Sequence, residues 1–554
     1  MSDIIKTQRS LARKARHVPT HQFGHLYRLI CRTEWINYAL HVVLSRKGSQ
    51  TAGIDGMTKK HLASNTAKAE LVQEIREELC QKQFRPKPAR RVYIPKANGK
   101  KRPLGISSIK DRVVQMLVKM ILEPIYESDF LNCSNGFRPE RRTQDCIARL
   151  DSYINRQGKF YWVIEGDIKA AFDSIHHKIL MKILAKRIAD THFLKLIRRF
   201  LKAGIMEDCL FKSTDIGTPQ GAVCSPILAN IYLHQLDLFW WNKYGNLHRK
   251  EKEKRRNKHL GNCALIRYAD DWLLLTNGDK AEAIRLREEF KTFLWKELKL
   301  ELAPEKTHIT HVNQGFNFLG FHIRRYVSAY DRPKMLVFPA QENIKKLKRK
   351  VKEMTKRKYF QDSPLLKINA LNTVLRGWIN YYRHSNAKKI AKDLDFWVNK
   401  RLFIWLRNRH KLRPRRIMKM YKHRENGKRF NLGVINGDKG YFLYKMSDLS
   451  LRKYRSRAPD NPYLKETWIA TTIQKVDTPL TNKVWKGNAE NAAWRELKEK
   501  IKAERGAKCE WCGNQDQLDL HHIIARKDKG KDVEENLLLL CRTCHAKTSS
   551  FGRR

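Results

Sequence analysis

Apolar positions recur at helical intervals from the start of the chain to about residue 85, as in Glu70-Leu71-Val72-Gln73-Glu74-Ile75. From Arg90 the pattern changes. Arg91-Val92-Tyr93-Ile94-Pro95-Lys96 reads as a strand, Ala97-Asn98-Gly99-Lys100 as its turn, and Lys101-Arg102-Pro103-Leu104-Gly105-Ile106 as the return strand. Helical text follows over Arg112 to Glu127, then alternating strand and helix signals to about Arg325. Such a mixture predicts an α+β multidomain chain containing a sheet with helices packed on one side. Over residues 341–430 aromatics fall at helical spacings (Trp378, Tyr381, Tyr382, Phe396, Trp397, Phe403, Trp405) and are expected to be core. Ser456 to Lys465 is turn-rich and reads as a junction.

Within the alternating region, two apolar runs, Ala264-Leu265-Ile266 and Trp272-Leu273-Leu274-Leu275, flank Tyr268-Ala269-Asp270-Asp271. This predicts a tight hairpin with two like charges at its tip. Adjacent carboxylates repel and raise each other's pKa unless a cation neutralises them. A divalent ion on hard oxygen ligands, Mg²⁺ above all, explains keeping both in an apolar setting; a surface turn with two acids is the plain alternative. A two-metal phosphoryl-transfer site needs a further carboxylate from another segment. Asp167 closes the apolar run Trp162-Val163-Ile164-Glu165-Gly166 and would sit at a strand end beside the hairpin if the strands pair; a strand-end acid that merely caps the next helix is the plain alternative.

Charge narrows the partner. The chain has 113 Lys and Arg against 56 Asp and Glu, a formal net charge of +57. Self-repulsion of that size calls for a large polyanion. Hydrophobic residues make up 42%, enough for real cores, so the chain is not a disordered basic tail. Residues 341–430 alone hold 28 Lys and Arg against 6 Asp and Glu, an excess suited to a phosphate backbone. Nucleic acid leads over an anionic membrane, because no apolar run approaches the roughly 20 residues that span a bilayer. Met1 to Thr20 lacks a signal-peptide core, so a soluble, intracellular protein is expected. Seven scattered cysteines show no pairing pattern, consistent with a reducing compartment. Cys509, Cys512, Cys541 and Cys544 instead form two C-x-x-C pairs, the spacing of a closed Cys₄ zinc site.

The order of blocks resembles a family. Asp167, then Gly217-Thr218-Pro219-Gln220-Gly221, then Tyr268 to Asp271 resembles the palm of a reverse transcriptase. Thr51-Ala52-Gly53-Ile54-Asp55-Gly56, Ile94-Pro95-Lys96 with Arg102 to Ile106, and Ser134-Asn135-Gly136-Phe137-Arg138-Pro139 resemble flanking blocks of the group II intron-encoded type. So do Leu302-Ala303-Pro304-Glu305-Lys306-Thr307, Phe318-Leu319-Gly320-Phe321, and the thumb or maturase segment Arg376-Gly377-Trp378-Ile379-Asn380-Tyr381-Tyr382. The resemblance covers nearly the whole chain. It implies a right-hand fingers and palm region with an antiparallel palm sheet, a helical thumb and a C-terminal nuclease. The expected bounds are 1–90 for the N-terminal extension, 91–330 for fingers and palm, 331–440 for thumb, 441–504 for DNA binding and 505–554 for the nuclease.

By the same resemblance Asp167, Asp270 and Asp271 hold two Mg²⁺ ions with the Ile168 carbonyl. Phe172 would lie under the sugar and disfavour a 2′-hydroxyl, a core phenylalanine being the alternative. Arg90, Lys96 and Arg102 would meet the incoming dNTP, with Gln220 in the adjoining loop; solvated surface cations are the alternative for the three basic residues. Gly221, without a side chain, would let the template–primer approach. Leu520-His521-His522-Ile523-Ile524, Asn536 and Cys544-His545 resemble an HNH, or ββα-metal, endonuclease. That implies His521 and His545 as ligands of Mg²⁺ or another divalent ion, His522 as general base and Asn536 as a loop brace. Some members carry a further histidine where Ser549 stands, which leaves the ligand number open, and a zinc ribbon that only grips DNA is the plainer reading.

Together these imply an RNA-directed DNA polymerase, splicing maturase and target-nicking endonuclease acting in intron mobility (retrohoming). The partners would be group II intron RNA, double-stranded target DNA and dNTPs, with no membrane and with dimerisation left open. The expected setting is the cytoplasm or nucleoid of a bacterium, or an organelle. A splicing cofactor with relic catalytic sites is the competing reading, disfavoured because all three carboxylates are present. Another reverse-transcriptase lineage is a third, disfavoured by the long thumb and nuclease.

Overall fold

The computed structural model describes residues 2–95, 99, 101–157, 160–207, 210–212, 217, 221–258, 260–326, 334–425, 429–437, 439–452, 454, 461–465, 499, 501–510, 512–515, 518–522, 537–541 and 544. The chain forms two compact units, Met1–Lys465 and Glu466–Arg554. Strands of the first unit are β1 (Ala89–Pro95), β2 (Lys101–Ile106), β3 (Trp162–Gly166), β4 (Ile205–Glu207), β5 (Leu210–Lys212), β6 (Cys263–Tyr268) and β7 (Asp271–Thr276). They continue with β8 (Ile309–His311), β9 (Phe316–Phe318), β10 (Phe321–Tyr326), β11 (Lys334–Pro339), β12 (Lys422–Glu425), β13 (Arg429–Asn436) and β14 (Lys439–Phe442). The second unit contributes β15 (Leu518–His522) and β16 (Leu537–Cys541).

Helices form where the periodicity predicts them, and polar caps set their starts. Ser108 Oγ accepts from the Asp111 backbone N–H at 3.0 Å and opens the long helix Ile109–Asp129. Asp190 caps Thr191–Lys202 by accepting from Phe193 N–H at 3.0 Å, while its other oxygen accepts from Tyr27 N–H at 2.8 Å. One cap therefore ties the amino-terminal helices to the rest of the unit.

The central sheet runs β6-β7-β3-β8 and is antiparallel throughout. One face (Ile164, Leu265, Trp272, Leu274) joins a core with the helices Ile109–Asp129, Ser225–Trp240 and Lys280–Leu298. The other face (Val163, Ala264, Ile266, Leu273, Leu275) joins a second core with helix Thr143–Asp151, β9 to β11 and helices Gln341–Met354, Pro364–Tyr382 and Lys388–His410. This corrects the expectation of a sheet covered on one side. Unbroken apolar runs, unlike alternating ones, belong to strands buried on both faces, and β6 is buried at five successive positions from Cys263 to Arg267.

A second sheet runs β2-β1-β4-β5, in which β1 and β4 are parallel and the other pairs antiparallel. The β1–β2 hairpin carries Tyr93 and Ile94 on its exposed outer part. Downstream, the aromatic positions of residues 341–430 divide. Tyr382 and Trp405 are buried as expected, but Phe396 is 75% exposed and Tyr381 is also exposed, so neither is core. Lys345, Lys346, Lys348, Arg349 and Lys350 are exposed, so the basic excess of this region lies on its surface. Asn461 and Tyr463 bring the chain back onto the helix Ile109–Asp129, through Asn461 Nδ2 to Ser128 Oγ at 2.7 Å and Tyr463 Oη–H to Glu123 at 2.8 Å. Residues 441–452 and 461–465 thus pack with the first unit, and the division falls at the turn-rich junction.

Gly166 shows how tightly the central sheet is specified. A Cβ there would lie 2.2 Å from the Trp272 indole, which crosses the strand. Gly166→Ala is expected to destabilise the first unit by about 1–3 kcal/mol through overpacking. Differential scanning calorimetry should show a lower midpoint for that unit, with the C-terminal unit unchanged.

Candidate active sites

The register of the central sheet brings separated acids together. In β6 and β7, Tyr268 pairs with Asp271, leaving Ala269 and Asp270 as a two-residue turn. Gly166 of β3 pairs with Trp272 of β7 as the last pair of that register, so Asp167 and Asp271 are the next residues at the same end of the sheet. The three acids therefore meet at one end of the sheet. The Asp167 carbonyl accepts from Ala303 N–H at 2.9 Å, and Lys169 N–H donates to the Glu301 carbonyl at 2.9 Å. Ile168 bridges Leu302 between these bonds, so its own carbonyl is turned away from that ladder, toward the hairpin side. Asp167 and Asp270 are half-buried and Asp271 is exposed. That is an arrangement in which hard oxygens can converge on divalent ions.

The hairpin turn is braced from behind. Ala269 has φ +60°, a left-handed conformation that disfavours a side chain. Gly136 abuts it so closely that a Cβ on Gly136 would lie 2.3 Å from the Ala269 nitrogen. Asn135 N–H donates to the Arg267 carbonyl at 2.9 Å and Arg267 N–H to the Cys133 carbonyl at 2.8 Å, so the Ser134–Pro139 block adds a short parallel contact to β6. Arg138 in the same block is buried in an ion pair with Glu127 at 2.7 Å. Phe137 packs edge-on against Phe172 at 6.2 Å, and both line a small cavity with Ala229, Asn230, Ala269 and Asp270.

Behind the turn lies a wholly buried pair, Arg267 with Asp237, at 2.5 Å. Burial by itself would raise the Asp237 pKa; the Arg267 guanidinium reverses this and brings it down to about 2. Neither residue, nor the neighbouring Asn230, was among the sequence expectations. A signal existed: Arg267 interrupts an apolar strand and Asp237 an apolar helix, and charges in such places require partners.

Arg90 lies on β1, half-buried, and donates through Nη2 to the Ala52 carbonyl at 2.8 Å, joining two of the sequence blocks. Arg102 is exposed on β2. Lys96 and Gln220, with Thr218 and Pro219, lie outside the described residues. Gly217 (φ +99°) and Gly221 (φ +113°) are described, and the protein itself fills the space beside them. A Cβ at Gly221 would lie 2.8 Å from the Gly105 carbonyl oxygen of β2.

In the second unit, the sulfurs of Cys509, Cys512, Cys541 and Cys544 all lie within 4.8 Å of one another, Cys512 and Cys541 at 3.5 Å. Four sulfurs about 2.3 Å from a tetrahedral zinc stand roughly 3.8 Å apart, so this donor set fits that ion. Glu510 locks the first cysteine pair to β16 by accepting from Leu539 N–H at 2.8 Å and from Arg505 at 3.1 Å. In the β15–β16 ribbon Leu518 pairs with Cys541, and His522 pairs with Leu537 at the far end. Four residues of strand, about 13 Å, thus separate the cysteine end from the histidine end. Asn536 and His545 lie outside the described residues, as does the side chain of His522.

These features define a protein class with acids gathered at one end of an antiparallel sheet, a basic helical region and a four-cysteine module. Family models match in the same order: reverse transcriptase (RNA-dependent DNA polymerase) over residues 94–323, group II intron maturase-specific domain over 344–422, and HNH endonuclease over 509–551. The group II intron-encoded protein LtrA of Lactococcus lactis subsp. cremoris is 30% identical across 94% of this chain and 95% of its own length. Protein YkfC of Escherichia coli is 40% identical across 62% of this chain and 94% of its own. An uncharacterized 91 kDa protein in the cob intron of Schizosaccharomyces pombe is 28% identical across 86% of this chain and 64% of its own. The chain belongs to the group II intron-encoded proteins. It is a reverse transcriptase and an HNH endonuclease that also carries the maturase domain, and it binds intron RNA and DNA. Both enzyme domains are of types that use divalent metals. No helix among the described residues is long and apolar enough to cross a membrane.

Cys512→Ser is expected to abolish stoichiometric zinc binding, read by metal analysis of the purified protein. It should also lower the unfolding midpoint of the C-terminal unit while leaving that of the first unit in place.

Proposed function

We propose that Asp167, Asp270 and Asp271 are the metal ligands of the polymerase and that the protein copies its intron from a primer made by its own nuclease. The β6-β7-β3-β8 sheet is the palm, the β1–β2 hairpin belongs to the fingers, and the helices from Gln341 onward are the thumb. The domain bounds follow the blocks: 1–90, 91–330, 331–440, 441–504 and 505–554. The observation that carries this reading is the β3–β7 register, whose last pair, Gly166 with Trp272, leaves Asp167 and Asp271 as the next residues at the end of the sheet where Asp270 lies.

In the polymerase the primer 3′-oxygen attacks the α-phosphorus of the dNTP, and the bond to pyrophosphate breaks. Two Mg²⁺ ions, when bound, would supply hydroxyl activation and charge neutralisation there, and the three aspartates and the Ile168 carbonyl would hold them. Arg90, Lys96 and Arg102 bind the triphosphate and base, Gln220 lines the nucleotide site, and Phe172 excludes the ribose 2′-hydroxyl. Support for Phe172 is its seat against Phe137 in the cavity shared with Asp270.

In the nuclease His522 takes a proton from the attacking water, His521 and His545 bind a divalent ion, and Asn536 holds the loop. The DNA 3′-end left by the nick then primes reverse transcription of the intron, the step that completes retrohoming. Residues 441–504 contact target DNA, and the basic helices of residues 341–430 grip the intron RNA. The setting is the bacterial cytoplasm or nucleoid, or an organelle, where that RNA is made.

Asp270→Ala is expected to lower primer extension by about 100-fold or more while intron splicing persists. Wild-type extension by this variant overturns the ligand assignment. His522→Ala should abolish nicking of the target strand and leave extension from a pre-annealed primer intact, measured on labelled DNA. Binding of intron RNA should weaken on the order of 10³-fold between 50 and 200 mM salt, as for six or more phosphate contacts; a filter-binding series checks this.

A further inference from the structure

We propose that Arg267, Asp237 and Asn230 are positioning residues that aim the Asp270 carboxylate and keep its charge available to a divalent ion. This rests on the reading of Asp270 as a metal ligand.

The guanidinium of Arg267 is engaged through each of its nitrogens. Nε and Nη2 donate to the two oxygens of Asp237, at 2.8 and 2.5 Å. Nη1 donates to Asn230 Oδ1 at 3.1 Å and to the Ala269 carbonyl at 3.0 Å. Ala269 immediately precedes Asp270, so this last bond fixes the peptide plane from which Asp270 departs. Asn230 completes the frame by donating through Nδ2 to the Gly136 carbonyl at 2.8 Å, and Gly136 is the residue pressed against the Ala269 nitrogen. The frame joins four elements: a strand, its hairpin turn, the helix Ser225–Trp240 and the Gly136 loop.

Charge gives the frame a second role. Arg267 is close enough to Asp270 for the carboxylate to contribute to the field at the guanidinium. A lone buried cation there would compete with a divalent metal for Asp270. Asp237, itself wholly buried, cancels that cation, so the turn gains the guanidinium's hydrogen bonds without its full charge. Lysine cannot replace it: a point ammonium has no planar fork with which to hold Asp237, Asn230 and the Ala269 carbonyl together.

The test is a Mg²⁺ titration of primer extension by the full-length protein on a pre-annealed RNA template and DNA primer. Asp237→Asn keeps the shape of the side chain and removes its charge. The Mg²⁺ concentration for half-maximal rate should rise on the order of 10-fold, as when an outer-shell partner is lost, with the rate recovering at saturating Mg²⁺. Asn230→Ala and Arg267→Lys should shift the same midpoint in the same direction, which decides the matter if Asp237→Asn fails to fold. Template–primer affinity and intron splicing, measured alongside, should stay at wild-type values. A rate reduced equally at every Mg²⁺ concentration, or a Mg²⁺ dependence identical to wild type, overturns the proposal. Asp270→Ala separates the two readings. If it extends primers normally, the ligand assignment fails; if it is inactive while Asp237→Asn keeps the wild-type Mg²⁺ midpoint, only the positioning role fails.

Discussion

The antiparallel pairing of β3 with β7 governs the first unit. Its register sets Gly166 under the Trp272 indole, where only a residue without a side chain fits. A slip of one residue would place a side chain under the indole and turn every core position of the strand to the opposite face. Both faces of this sheet are buried, so neither face could accept the exchanged residues. The same register fixes the relation of Asp167 to Asp271. The packing that stabilises the sheet is therefore what brings the acids together.

Buried charge follows the same logic. The interior behind the β6–β7 turn contains Arg267 and Asp237 at no exposure, and nearby Arg138 with Glu127. Such pairs contribute little net stability compared with apolar replacements, because desolvating both charges offsets their attraction. What they provide is direction. A guanidinium with several fixed donors pins loops and turns whose backbone groups would otherwise lack partners. In the second unit the apolar cluster among the described residues is small, and four cysteines gathered at one end of a two-stranded ribbon offer a donor set suited to a structural metal.

Much of the fold and of the candidate site was legible in the sequence. The hairpin with Asp270 and Asp271 at its tip, the β1–β2 hairpin, the helix around Arg112 to Glu127 and the cysteine quartet were each readable from local pattern. They depend on interactions within a few residues or on fixed ligand spacing. The one-sided sheet and the burial of Tyr381 and Phe396 were misread. Helix Thr143–Asp151, β9 to β11 and the downstream helices cover the second face through contacts distant in sequence, while Phe396 lies nine residues, or two and a half turns, before the buried Trp405 on the same helix and so faces solvent. Gly221 was read as room for a nucleic acid, whereas the Gly105 carbonyl already stands beside it.

The sequence by itself determined the order of modules, the basic character of the surface and the chemistry of the side chains on offer. Composition and short-range spacing carry that information directly. Tertiary structure decided which strands pair and in which register, so it alone brought Asp167 and Asp271 to the same end of the sheet and drew Arg267, Asp237, Asn230 and Gly136 behind one turn. Those partners lie tens to about a hundred residues apart. Only burial, which forbids an unpaired charge or an unmatched backbone group in the core, selects them for one another.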